Sequence, residues 1–390
     1  MMNFIGEMDY KKSHNDSHLT SKDNPVRILH VFNYFNQGGI ENFVMNVYRN
    51  IDRTKVQFDF AFPTNKKGYF DDEARSLGAN IYFFDSEKKS FFNYYRNLKK
   101  IIREHGPYSA VHSHVYFFSG YILLIARICG IKIRISHSHE TQKGRKQTLK
   151  RRVYEKVMRR MIHANATDWL CCSNKAGEYV FGKSIPYQVL YNGIDLNRFK
   201  FRQERRDFIR KKLNVTGEKV ILNVGRFAEQ KNHQFIIKIF KRLLEISEDY
   251  RLVLIGVGHL KDLIIEKCKE YGIYDKCIFL HNIQNTEDYY CAADAFILPS
   301  LYEGMSIVSV EAQSTGLYSI LSDEITTEVA ITDLVTYLNI KGNDDEWAKL
   351  INNLSSKSIE RSKYNDRFKN SEFDINRTVK DLSAIYLRSE

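Results

Sequence analysis

The sequence of 390 residues is 43% hydrophobic and 27% charged, a balance that places it among soluble globular chains and favours two domains over one. It has no apolar run of signal-peptide or membrane-span length, and its six cysteines lack CxxC spacing, so a cytoplasmic chain without a disulfide framework or zinc site is expected. The formal charge of +12 lies wholly in residues 1–195, where 30 Lys and Arg face 18 Asp and Glu, while the remainder is balanced at 29 against 29.

Residues 1–24 are polar and aperiodic and are expected to form a poorly ordered tail. Order begins at Val26 with VRILHVF, followed by a helical pattern near Ile40 to Asn50, FDFAFP, a helix from Tyr69, NIYFFD and a helix from Phe91. AVHSHV, a helix near Phe118 to Cys129, KIRISHSH, a basic helix after Gln147, DWLCCS, a short helix and YQVLYNG continue the series. Short apolar runs alternating with helices predict a parallel sheet covered on both faces.

A charged stretch from Leu196 to Glu218 interrupts the pattern. It restarts with VILNVGRF, a helix from Asn232, RLVLIGVG, a helix from Leu260, CIFLHN, a short helix, AFILPS, a helix from Ser306 and YSILSD. The helix after Lys231 gathers Phe235, Ile236, Ile239, Phe240, Leu243 and Leu244 on one face, as a helix packed on a sheet should. A last amphipathic segment, Phe373 to Leu387, carries Ile375, Val379, Leu382 and Tyr386 on one stripe and is expected to cross back onto the first domain. The expected division is a first α/β domain over 25–198, a second over 199–372 and a returning helix over 373–390.

Ligands of parallel sheets bind beyond the carboxyl ends of the strands, and the unusual residues collect there. The loop NQGGIE, with Gly38 and Gly39, lets backbone N–H groups approach a phosphate, or is simply a tight turn. Arg226 and Lys231, five apart across GRFAEQK and following Gly225, can point at one anion and stabilise the charge that develops on a leaving diphosphate. The strongest signal is LPSLYEGMSIVSVEAQSTG, in which Glu303 and Glu311 flank a helix start near Met305 or Ser306. Its N–H groups would face an anion, with both carboxylates able to accept from sugar hydroxyls. The acidic runs Asp71-Asp72-Glu73 and Asp344-Asp345-Glu346 read as first turns of helices rather than metal ligands.

This ordered set resembles the family 4 glycosyltransferases of the GT-B fold, particularly those that build bacterial capsular and exopolysaccharide repeat units. The resemblance covers Val26 to Val329. It is carried by NQGGIENFV, RISHSHET at Arg134 to Thr141, YNGIDLNRF at Tyr191 to Phe199, VGRFAEQKN at Val224 to Asn232, Glu303 to Glu311, and ILSDEITTEV. It implies two Rossmann-like domains with parallel sheets facing across a cleft. It also implies retaining transfer from a nucleotide-diphosphate sugar, a UDP-sugar by family frequency, to a glycan acceptor that is often lipid-linked at the cytoplasmic leaflet. No metal and no cofactor beyond the nucleotide-sugar co-substrate are expected.

Carried onto this sequence, the resemblance implies that Arg226 and Lys231 hold the diphosphate, Glu311 binds the ribose hydroxyls and Glu303 contacts the transferred sugar. The donor would also meet Gly38, Gly39, Gly225, Gly256, Gly258, Gly304, Met305 and Ser306. In GVGHL, His259 stands where a proline is usual. The cleft histidine of the family matches the HSH segment, with His139 preferred and His137 as the alternative.

The segment Lys143 to Arg160 holds nine basic residues and one acid, Glu155. Drawn as a helix it puts Leu149, Val153, Tyr154, Val157 and Met161 on one stripe, which either enters the domain core or lies on an anionic membrane. Three competing readings are a nucleic-acid-binding protein, which leaves the cleft motifs unexplained, an NAD enzyme, for which the second half lacks a GxGxxG followed by an acidic residue at Rossmann spacing, and a catalytically silent GT-B partner subunit, which has no use for Arg226, Lys231, Glu303 and Glu311. No nucleic-acid partner is expected.

Overall fold

The structure is a computed structural model that describes residues 24–36, 38–84, 90–139, 148–281, 283–303 and 305–388. Expectations for residues 1–23, for Gly304 and for Lys143 to Gln147 fall outside the described residues.

The first seven apolar runs become β1 Val26–Val31, β2 Val56–Phe62, β3 Ile81–Phe83, β4 Ala110–Ser113, β5 Ile133–Ser138, β6 Asp168–Cys171 and β7 Gln188–Val189. They form one parallel sheet in the order β3-β2-β1-β4-β5-β6-β7. The second series gives β8 Lys219–Val224, β9 Tyr250–Ile255, β10 Cys277–Leu280, β11 Ala295–Leu298, β12 Ser319–Ser322 and β13 Val335–Leu338. These pair, again all parallel, as β10-β9-β8-β11-β12-β13. Each sheet has apolar clusters on both faces, which is why its central strands read as nearly continuous apolar runs. Strand order reverses at β1/β4 and at β8/β11, and the crevices beyond these switch points are where ligands of such sheets bind.

Two elements escape the sequence pattern. The charged stretch contains the helix Gln203–Lys212, of which only Ile209 is buried. Arg206 and Arg210 tie it to Asp294 just before β11, at 2.6 and 3.1 Å, so ion pairs replace the apolar stripe. Strand β13 is a partly buried edge strand without clean alternation.

The helix Ile375–Tyr386 does return to the first domain, where Ile375, Leu382 and Tyr386 enter the cluster containing Ile28, Phe58 and Phe60. The two crossing segments meet: the Ile194 N–H donates to Phe373 O (2.8 Å) and the Ile375 N–H to Ile194 O (3.1 Å). Gly193 permits this approach, since a Cβ there would lie 2.6 Å from Thr378 Oγ1 and 2.7 Å from Ile375 Cα.

The basic segment forms the helix Leu149–Asn165, and its apolar stripe takes the outward of the two expected places, with the opposite face inward. Glu155, Met158, Ile162 and Asn165 are buried, while Leu149, Val153, Tyr154 and Val157 are exposed. Glu155 explains the rotation, because it accepts from Arg151 Nε (2.7 Å) and from the Tyr179 hydroxyl (3.0 Å) inside the domain. Gly120 allows the neighbouring helix Ser119–Ile128 to close on it, a Cβ there falling 2.6 Å from Met158 O.

Candidate active site

On the second domain the site grows from the ends of β8, β9 and β11. The loop after β8 presents Arg226 to solvent and brings Lys231 inward. Lys231 Nζ meets Glu303 Oε1 at 2.5 Å, and both side chains are mostly buried. The Ser300 hydroxyl donates to the same carboxylate oxygen (2.8 Å) and Gln230 Nε2 to the other (3.3 Å). Gln230 also donates to Tyr302 O (2.9 Å), while the Leu301 N–H donates to Gln230 O (2.8 Å), so the loops after β8 and β11 are laced together. Diphosphate cation and sugar-contacting carboxylate, expected to act on separate parts of a donor, are thus paired with each other.

Gly256 and Gly258 have a packing reason for being glycine. A Cβ on Gly256 would lie 2.0 Å from Gly225 O, and one on Gly258, at φ +153°, would lie 2.3 Å from Phe227 O. The loop after β9 therefore packs directly against the backbone of the loop that carries Arg226. Gly225 leaves room in turn for the Lys231 stem, whose Cδ would stand 3.1 Å from an added Cβ.

The helix Ile307–Ser314 starts just beyond Ser306, and Glu311 falls in its second turn. The Tyr290 hydroxyl donates to Glu311 Oε2 at 2.8 Å. Burial pushes the Glu311 carboxyl up to about 7, with the Tyr290 bond and Arg198 opposing the shift. Ser306 is buried, and its hydroxyl has no partner among the described residues. Met305 packs against clusters of both domains.

Across the cleft, Gly38 caps the helix Gly39–Asn50, and its carbonyl accepts from the N–H and side chain of Asn42. A Cβ on Gly38 would fall 2.3 Å from Glu41 Oε2, so the Glu41 carboxylate lies over the glycine loop. Burial raises the Glu41 carboxyl, with its own backbone N–H and then Arg226 of the opposite domain only partly opposing the shift. Its strand-end place in NQGGIE singles Glu41 out in the sequence, but without a role at the site.

His137 and His139 end β5, with His137 buried and His139 reaching partial exposure. They belong to a larger group. His30 of β1, His112 of β4 and His114 just after it lie on the same face of the sheet. Ring nitrogens pair in two rows, His30–His114 (3.1 Å) with His114–His139 (2.9 Å), and Tyr386–His112 (2.7 Å) with His112–His137 (3.2 Å). Burial drives every one of these imidazoles towards the neutral form, His30 and His139 down to about 3.

Residues 37–198 match the family Glycosyltransferase Family 4 and residues 204–371 the family Glycosyl transferases group 1. EpsF of Bacillus subtilis (strain 168), provisionally named a glycosyltransferase, is 38% identical over 83% of this chain and 86% of its own. The chain belongs to the family 4 glycosyltransferases. Among other members, the capsular polysaccharide biosynthesis glycosyltransferase CapH of Staphylococcus aureus is 26% identical over 93% of this chain and 99% of its own. An Escherichia coli UDP-Gal:alpha-D-GlcNAc-diphosphoundecaprenol alpha-1,3-galactosyltransferase is 25% identical over 78% and 81%. The fold of this family 4 enzyme matches Anabaena HepE, crystallised with UDP and glucose, at a TM-score of 0.77 and 15% identity over 93% of this chain and 100% of HepE. The architecture is therefore GT-B, with the two strand-end rims just described facing each other.

Proposed function

We propose that the chain moves a sugar, with retention, from a UDP-sugar to a lipid-linked glycan acceptor in polysaccharide biosynthesis, without a metal ion or other cofactor. The observation that carries this reading is the Lys231–Glu303 pair, braced by Ser300 and Gln230 beside the exposed Arg226. When a donor enters, Lys231 and Arg226 take the diphosphate and stabilise the charge that grows on it as the glycosidic bond breaks. Glu303 is released to the sugar hydroxyls, and Glu311 accepts from the ribose. His139 and Glu41 close the site from the first domain. The acceptor proton passes to the leaving phosphate oxygen on the same face of the sugar as the new bond forms, so the transfer proceeds with retention. The names of the Escherichia coli relative and the HepE complexes support a UDP donor, and CapH supports a capsular setting.

A thermal-shift panel of nucleotides and nucleotide sugars tests the donor. UDP or a UDP-sugar at a hundredfold its Kd should stabilise the protein by about 2.7 kcal/mol, and turnover of that donor should persist in excess EDTA. A shift with another nucleotide alone, or activity lost to EDTA and restored by magnesium or manganese, overturns the corresponding part of the reading.

The acceptor side rests on the helix Leu149–Asn165. Its exposed Leu149, Val153, Tyr154 and Val157 are flanked by exposed Lys150, Arg152, Lys156 and Arg160, and among the described residues no helix is long and apolar enough to cross a membrane. Such a face lies in a lipid interface, each cation near an anionic bilayer contributing on the order of 1 kcal/mol. The chain should therefore co-sediment with anionic vesicles, less so as salt rises, and less again when Lys150, Arg152 and Lys156 become Glu. Arg151 is left intact because it holds Glu155. Equal binding to neutral vesicles, or none to anionic ones, favours a soluble acceptor.

A further inference from the structure

The double HSH repeat supplies more histidine than a single cleft residue needs. His112 and His114 on one strand end and His137 and His139 on its neighbour follow the two-residue strand period, so all four reach the same face beside His30. A neutral imidazole has one N–H and one lone pair, so a row of ring-to-ring bonds has only two consistent proton arrangements. In the row His30–His114–His139 the contacts are His30 Nδ1 to His114 Nε2 and His114 Nδ1 to His139 Nε2. Either all three rings carry the proton on Nε2 or all three carry it on Nδ1. The row thus ties the character of His139 Nδ1, lone pair or N–H, to the tautomers of His30 and His114, and that atom has no partner among the described residues.

We propose that His114 is a positioning residue that, backed by His30, holds the ring orientation of His139 and couples its tautomer to theirs, so that the row as a whole sets the state of the Nδ1 that meets the substrate. This rests on the reading of His139 as a cleft residue. The second row is anchored on the returning helix, where the Tyr386 hydroxyl pairs with His112 Nδ1 while His112 Nε2 pairs with His137 Nδ1. His137 is therefore held by its own chain and is buried away from the cleft, and the two rows stack with His137 and His139 centroids 4.0 Å apart. His114 is sandwiched by Phe32 (4.4 Å, interplanar 4°) and His112 (4.2 Å), so its own ring has little freedom to reorient. A metal ion held by His30, His112 and His114 or by His114, His137 and His139, whose ring nitrogens lie within 4.8 Å of one another, would compete with these ring-to-ring bonds.

The test uses the full chain labelled with ¹⁵N-histidine, whose nitrogen shifts report which ring atom is protonated. His30, His114 and His139 should share one tautomer in the wild type. In His114→Phe, which keeps the ring stack and removes both bonds, His139 should lose that single state. Turnover of the donor found by the thermal-shift panel should then fall about 10- to 100-fold, with the donor KM changed less than about twofold. His114→Asn, whose amide can replace one bond to His139, should recover part of both readouts, and it serves alone if the phenylalanine variant fails to fold. The effect of His114→Phe should vanish in a His139→Ala background. A folded His114→Phe protein with wild-type turnover and an unchanged His139 tautomer overturns the proposal. So does stoichiometric zinc joining the nitrogens of the purified chain. Full activity in His139→Ala would instead overturn the cleft role of His139, while the shared tautomer remains separately readable in the spectrum.

Discussion

If Lys231 is, as proposed, the fixed cation for the charge that develops on the leaving diphosphate, the Lys231→Met protein should turn over its donor about 100- to 1,000-fold more slowly than wild type. Stability should fall as well. Glu303 is buried and would keep only Ser300 and Gln230 as donors, and removing one side of a buried pair costs about 3 to 5 kcal/mol. The two losses separate in the double variant Lys231→Met, Glu303→Gln. Its neutral amide no longer requires a cation, so thermal denaturation should recover much of the lost Tm while turnover stays at or below that of the single variant. Recovery of turnover together with Tm would mean that Lys231 serves only to hold Glu303.

That pair also marks the boundary of what the sequence could convey. Period and composition were enough to place the two parallel sheets, because buried strands must be apolar and their crossover helices amphipathic. The returning helix was legible from Ile375, Val379, Leu382 and Tyr386 for the same reason. Strand-end position brought out Arg226, Lys231, Glu303 and Glu311. What stayed hidden were partners far away in sequence: Ser300 and Gln230 on Glu303, Tyr290 on Glu311, Glu41 within reach of Arg226. Tertiary structure creates these contacts, and no local pattern encodes them. Which of its two expected places the stripe of the basic helix takes was undecided for a related reason. Its inward face is set by Glu155, a charged residue that only the Tyr179 and Arg151 contacts make acceptable in the interior. The histidine rows lie between these cases, since two HSH segments at strand ends were visible while their register was not.

Glu311→Gln should make the free protein more stable above neutral pH and at the same time weaken its hold on nucleotide. Burial raises the folded carboxyl from an ordinary 4.5 to about 7, so between those values the folded chain binds a proton that the unfolded chain has released. Stability from this group is therefore greatest at and below about pH 4.5 and declines as pH rises to about 7, beyond which the full penalty of burying the charge, about 3 kcal/mol, is present. Glutamine cannot ionise, and its amide can still accept the Tyr290 hydroxyl, so urea denaturation of the variant should lack this decline. Nucleotide binding should run the other way in the wild type. Ribose hydroxyls donate more strongly to a carboxylate than to a carboxylic acid, so affinity for UDP should increase from pH 6 to 8 as Glu311 loses its proton. The glutamine variant should bind about 10- to 100-fold more weakly at pH 8, the loss of charge-assisted hydrogen bonding, and should show no such increase. Titration calorimetry at the two pH values decides the matter. An equal pH slope in both proteins would assign the proton to another group and remove Glu311 from the ribose, whereas a flat wild-type profile with weakened variant binding would mean that Glu311 is already ionised throughout that range.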